Sequence, residues 1–329
     1  MEKEYQMTDR EQVESLIYPC YERTLYHIFK RNMKLKKFNW LMADRFFEFD
    51  YTEENEPILA THNGLKEIQD KLEETLVIKP SELETTLDEF LNQSYYAHSM
   101  LETIRPDSSK YFTSNLIESI DQSTVFITKT NETMKETKVP ISVPELLEKF
   151  PVSDSGEITL SFIKVPTEFV QTIEESNQPF SHIMNEQYGY TVEKNTIFNS
   201  GEKVICDDQS LWTLYDYFLS EKEAVLSGEM SKKTQLRMYK HLANKIEPIT
   251  TAWQEIAEYY EPNAEILNTI NKINQDLETL LKWFSLLYNR PKTHFLEKYL
   301  LQYQQLVSDY KEFQNQAYQL TIKLLMEEK

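Results

Sequence analysis

Apolar positions recur along this chain with two different periods, and the period changes near residue 123. On the N-terminal side, Val13, Ile17, Leu25 and Ile28 follow helical spacing behind Thr8-Asp9-Arg10-Glu11. In that leading tetrapeptide the cap residue and the glutamate three positions on satisfy each other's backbone N–H groups. Pro19 interrupts the face, which predicts a kink or two short helices. FNWLMADRFFEFDY, from Phe38 to Tyr51, is apolar around much of a helical circumference and predicts a well-buried helix. Ser81 and Glu84 mark another helix start, and Leu83, Leu87, Leu91, Tyr95, His98, Leu101 and Ile104 trace one helical face up to Arg105-Pro106.

The middle of the chain reads differently. STVFITKT (123–130) and EITLSFIKV (157–165) are short, β-branched and aromatic, and predict strands. NTIFNSGEKVIC (195–206) predicts a hairpin turning at Asn199-Ser200-Gly201. Helical spacing returns in QSLWTLYDYFLSEKEAVL and stops at Gly228.

The C-terminal segment holds the most regular pattern. Ile266, Ile270, Ile273, Leu277, Leu280, Phe284 and Leu287 are spaced alternately four and three apart. Leu296, Tyr299, Tyr303, Leu306, Tyr310, Phe313, Ala317, Leu320 and Leu324 resume the alternation after a nine-residue gap. Alternating threes and fours hold one stripe on one side of a helix. The register breaks where Pro291 sits, so two helices in a hairpin are expected, with arms of about 33 Å and about 43 Å at ~1.5 Å per residue. Apolar residues beside the stripe, such as Leu281, Leu300 and Val307, predict further packing, including self-association through Leu296, Tyr299, Tyr303, Leu306, Tyr310 and Phe313. The expected fold is therefore mainly α with a small α+β insert. It comprises an N-terminal helical region (1–122), an acidic α+β region (123–230) and a C-terminal helical bundle with an antiparallel hairpin (231–329).

Charge changes this picture in one respect. The net charge of −19 is unevenly placed. Residues 51–156 carry 20 acids against 9 bases and 157–230 carry 13 against 4, while both ends are near neutral. Such a field repels nucleic-acid backbone and attracts basic partners, and it also favours solubility. Glu174, Glu175, Asp207 and Asp208 are candidate contacts for a basic protein, although Asp207-Asp208 also fits a helix cap. The AT-rich bias of the composition suits a bacterial, phage or mobile-element origin. The opening MEKEYQMTDREQ has no apolar core of a secretory signal, no apolar run is long enough to span a membrane, and Cys20 and Cys206 are too few for a disulfide framework. A cytoplasmic location is expected.

Candidate chemistry is sparse. Five dispersed glycines exclude a phosphate-cradling loop. His294 and Glu297 lie one turn apart but form only half of a metal site. Asp107 followed by Glu136 and Lys138 resembles the loose acid and acid-x-lysine pattern of metal-dependent nucleases, in which two acids hold Mg²⁺ and the lysine steers a water. KRNMKLKKFNW offers Lys30, Arg31, Lys34, Lys36 and Lys37 to phosphates, with Phe38 or Trp40 to stack on a base. The competing reading is a basic helix C-terminus, or a docking patch for another subunit. The expected function is that of a non-enzymatic, cofactor-free inhibitor or adaptor that binds a basic protein and self-associates. A metal-dependent nuclease in the central region and a nucleic-acid binder at Lys30–Trp40 are the alternatives.

Overall fold

The computed structural model describes residues 20–43, 46–51, 57–62, 72–104, 110–130, 136–151, 153, 155–175, 207–262 and 264–327. In chain order, helix α1 (Cys20–Tyr26) runs on as a π-helical segment (His27–Asn32), and strands β1 (Phe46–Tyr51), β2 (Pro57–His62) and β3 (Glu73–Ile78) follow. Next come α2 (Leu83–Asn92), β4 (Tyr96–Ile104), β5 (Lys110–Asp121), β6 (Thr124–Thr130), β7 (Glu136–Ser142), α3 (Val143–Leu147), β8 (Ile158–Ile163) and α4 (Thr167–Glu175). The C-terminal part is helical: α5 (Asp207–Ser220), α6 (Lys222–Ser227), α7 (Lys232–Tyr260), α8 (Glu265–Asn289) and α9 (Thr293–Glu327). Contacts divide the chain into two discontinuous units, Met1–Phe38 with Lys66–Glu175, and Asn39–Leu65 with Ser176–Lys329.

The first unit is built on a six-stranded antiparallel sheet of order β3-β8-β4-β5-β6-β7. One face is apolar. Ile78, Leu160, Phe162, Ala97, Leu101, Ile117, Val125, Ile127 and Ile141 alternate inward along their strands, and Leu83 and Leu87 of α2, Leu146 of α3 and Phe150 close over them. Pro140 lies in β7, at the sheet edge, where a missing N–H removes no ladder bond from a central position.

This sheet overturns the expectation of a small α+β insert in an otherwise helical body: the chain is mostly helical, but a six-stranded sheet lies in its middle. The expected helix from Leu83 to Ile104 stops at Asn92, and after Ser94, at φ +65°, the chain continues as β4. Leu83 and Leu87 do face the core from a helix, whereas Ala97 and Leu101 face it from a strand, and one helical template fits both sets. Phe38–Tyr51 likewise resolves into a 3₁₀ segment (Phe38–Met42) and strand β1, whose FFEFDY sequence alternates. The strands expected at 123–130 and 157–165 appear as β6 and β8. The expected hairpin at 195–206, and the opening helix signal at Thr8–Glu11, lie outside the described residues.

In the second unit β1 and β2 form an antiparallel pair. Ser210 of α5 accepts the Phe49 N–H of β1 at 3.2 Å. Trp253 of α7 is fully buried and its Nε1 donates to the Ala43 carbonyl at 3.1 Å. The two longest patterns become α8 and α9, separated at Arg290–Lys292 around Pro291. Their stripes are buried within this one chain: Ile266, Ile270, Ile273, Leu277, Leu280, Phe284 and Leu287 on α8, and Leu296 through Leu324 on α9. Tyr303 sits over α5, where its hydroxyl donates to the Leu211 carbonyl at 3.1 Å. No helix among the described residues is long and apolar enough to cross a membrane.

Candidate functional site

The second face of the sheet sets polar side chains among apolar ones such as Leu116 and Ile163, and α1 lies across it. Side chains of one parity point there: Glu73 from β3, Ser161 from β8, Tyr96 and His98 from β4, Ser114 and Glu118 from β5, Thr128 from β6 and Lys138 from β7. Tyr21 donates its hydroxyl to Glu73 Oε2 at 2.8 Å, and its ring meets His98 edge-on at 5.4 Å. His98 Nε2 lies 3.3 Å from the same oxygen. Burial alone would push the Glu73 carboxyl up, but His98 beside it and the hydroxyls of Ser161 and Tyr21 outweigh that and hold it below the ordinary carboxylate range. Thr24 and Ser114 share a 2.9 Å hydroxyl contact. Further along, Arg31 donates through Nη1 to Glu118 Oε1 at 2.7 Å; Thr128 also donates to Glu118, and Lys138 Nζ lies 4.0 Å from Glu118 Oε2. Tyr96 donates to Met33 Sδ at 3.1 Å. These groups neutralise each other inside the unit, so the cluster anchors a helix on a sheet.

That arrangement decides where several candidate residues lie. Arg31 points into the sheet at Glu118, and Lys30 stands over the Tyr26 ring at 5.6 Å. Lys34 is exposed at φ +58°, and Lys36 is exposed. Phe38 is fully buried among Tyr26 and Phe29, and Trp40, 5% exposed, packs on Tyr259 and Tyr260, so neither ring offers an open face to a base. Glu174, at the end of α4, accepts the backbone N–H groups of Lys36 and Lys37, the latter at 3.4 Å. Burial lowers Lys37 while Glu174 opposes the shift. Of the acidic candidates, Glu174 thus meets the basic run within one unit, through two backbone N–H groups. Glu175 is exposed, and Asp207 and Asp208 open α5 with side chains outside the described set.

The nuclease-like pattern is not assembled among the described residues. Asp107 and the Glu136 side chain lie outside them, and Lys138 faces Glu118 and the Phe126 ring, 4.9 Å from its centroid. No group of three or more potential metal ligands occurs among the described residues, and His294 and Glu297 are both exposed on α9. Leu296, Tyr299, Tyr303, Leu306, Tyr310 and Phe313 are at most 3% exposed in a single copy, so none of them is a surface residue.

The acidic surplus does reach the surface on the helices that cover the apolar sheet face. On α2, Leu83 and Leu87 are buried while Glu84, Asp88 and Glu89 are exposed, and Glu82 precedes them, also exposed. Glu145 and Glu148 are exposed on and just after α3. Neither α2 nor α3 contains a base. Glu84 and Asp88 are one turn apart, a like-charge spacing that costs a helix a few tenths of a kcal/mol, about 0.2–0.5. In the sequence Glu84 reads only as a helix cap and His98 as part of one helix over 83–104, while Glu73, Glu82, Asp88, Glu89, Glu145 and Glu148 carry no local pattern that marks them. For His98 the signal was present in the alternation of Tyr96, His98 and Met100 against Ala97, Ser99 and Leu101.

No known family model matches the chain, and no curated protein matches it.

Proposed function

We propose that this is a non-enzymatic protein that acts in the cytoplasm as an inhibitor or adaptor by binding a basic protein, with the acidic surface of α2 and α3 as its contact. The observation that carries the reading is the exposed set Glu84, Asp88 and Glu89 on α2 and Glu145 on α3, two helices that hold no base, with Glu82 and Glu148 exposed at their ends. A helix chosen only for stability would place lysines four residues from these acids and basic residues in its last turn. Here that gain is forgone. The buried faces of α2 and α3 are committed to the sheet core, which leaves the charged faces outward and rigidly held. Long-range attraction from such a surface accelerates encounter with a positive partner.

The test is association kinetics with the basic proteins that the immobilised chain captures from an extract of its native host. Raising salt from about 50 to about 500 mM shortens the screening length from roughly 14 Å to roughly 4 Å. Association is expected to slow by at least about tenfold with little change in dissociation. The triple variant Glu84→Lys, Asp88→Lys, Glu89→Lys is expected to lose most of that rate while keeping its melting temperature. Equal association rates at both salt concentrations, or in the triple variant, overturn the reading.

A further inference from the structure

Two acids flank the apolar seam between α8 and α9, each held by a glutamine of α9. Gln302 Nε2 donates to Asp276 Oδ1 at 2.7 Å, and Gln305 Nε2 donates to Asp309 Oδ2 at 3.0 Å. Asp309 is 8% exposed. The second oxygen of Asp276 is shut away from water, and no N–H or O–H donor among the described residues reaches it. Gln302, Gln305 and Asp309 follow at three- and four-residue steps along one face of α9, the face that Asp276 reaches through Gln302, so the neighbour on that side is the Asp309 carboxyl. Two carboxylates cannot bond to each other, because both are acceptors; one proton between them supplies the missing donor. We propose that Asp276 and Asp309 share one proton and form a pH-operated latch between the two C-terminal helices.

The flanks of a helix pair are where opposite charges usually stand. Here two like charges face each other one residue off the stripes, beside Leu277 and Tyr310. Burial, then the hydrogen bond with Asp309 and the Asp309 charge, push Asp276 up to about 7, against the Gln302 hydrogen bond and Lys272, one turn back on α8. Among the described residues, neither α7, packed on α8, nor α5, packed on α9, brings a charged side chain to act on Asp276. The sign follows. Opening the helix pair exposes Asp276, which then ionises near its ordinary value of 3.8 and releases the proton. Between about 4 and about 7, each unit of acidification therefore makes opening rarer, by up to about tenfold. Above about 7 the closed pair is itself ionised, the dependence levels off, and the latch is at its weakest.

Hydrogen exchange on the full chain, corrected for intrinsic rates, reads this directly at the amides of residues 273–280 and 305–313. Protection is expected to rise as pH falls from 7 to 5 and to be level from 7 to 8.5. Asp276→Asn supplies a permanent donor to Asp309 and is expected to flatten the profile at high protection; Asp309→Asn is the mirror variant, should the first not fold. Carbon-detected titration of Asp276 in the wild-type chain is expected to show a step near pH 7. A step near 4, or a profile unchanged in both variants, overturns the latch. Restoration of wild-type protection at pH 8 by millimolar Ca²⁺ or Mg²⁺ would also overturn it, because the pair would then hold a cation and not a proton.

Discussion

His98 Nε2 stands 3.3 Å from Glu73 Oε2, and both side chains are less than a tenth exposed. They come from β4 and β3, which are separated in the sheet by β8, and Tyr21 of α1 completes the contact from above. Because the native environment depresses Glu73, its contribution to stability is present above the ordinary carboxyl value of 4.5 and is lost as pH falls through the lower folded value. Glu73→Gln is expected to destabilise the first unit by about 1–3 kcal/mol at pH 7. The variant's urea midpoint should also fall less steeply than the wild type's between pH 4.5 and 2.5.

Arg31 and Glu118, 19% and 12% exposed, hold the far end of the same helix on the sheet. Glu118→Ala leaves the guanidinium without its carboxylate and is expected to cost about 2–4 kcal/mol, more than Arg31→Ala, since Thr128 also donates to Glu118. A double-mutant cycle checks this: a coupling energy near zero would mean that the pair does not hold the helix on the sheet.

Leu306 is fully buried in the seam of α9 against α8. Leu306→Asp places an unpaired charge there and is expected to cost on the order of 3 kcal/mol or more. Circular dichroism should register loss of helix in the second unit. If light scattering instead shows only a smaller assembly with helix content intact, the stripe is an interface between copies.

Gly228 ends α6 at φ +80°, with nothing within 4 Å of the position a side chain would take. Space is therefore no obstacle to Gly228→Ala, but the left-handed backbone is. A loss of about 1 kcal/mol in a chemical melt is expected, and an unchanged midpoint would show that the turn relaxes freely.

Local pattern was legible where neighbours along the chain determine the structure. The alternating stripes of 266–287 and 296–324, and the register break at Pro291, follow from spacing alone, as do the β-branched strands β6 and β8. The span 83–104 was not legible, because Leu83 and Leu87 on a helix and Ala97 and Leu101 on a strand satisfy one helical template. What breaks the tie is pairing with partners distant in sequence, such as Ala97 with Ile117 and Phe162.

The sequence by itself determined the acidity of the middle of the chain, the scarcity of catalytic motifs and the amphipathic faces of the C-terminal helices. Tertiary structure alone decided which surfaces stay outside. Burial turned the stripe of Leu296 to Phe313 into an intramolecular core, and the basic run at 30–40 became an anchor through Arg31 to Glu118 and a backbone contact with Glu174. Asp276 and Asp309, 33 positions apart, could come to one flank of a helix pair only once two helices brought them level. The physical reason is common to all three. Periodicity is a property of residues a turn or a pleat apart, whereas burial and ionisation depend on which side chains desolvate one another across the fold.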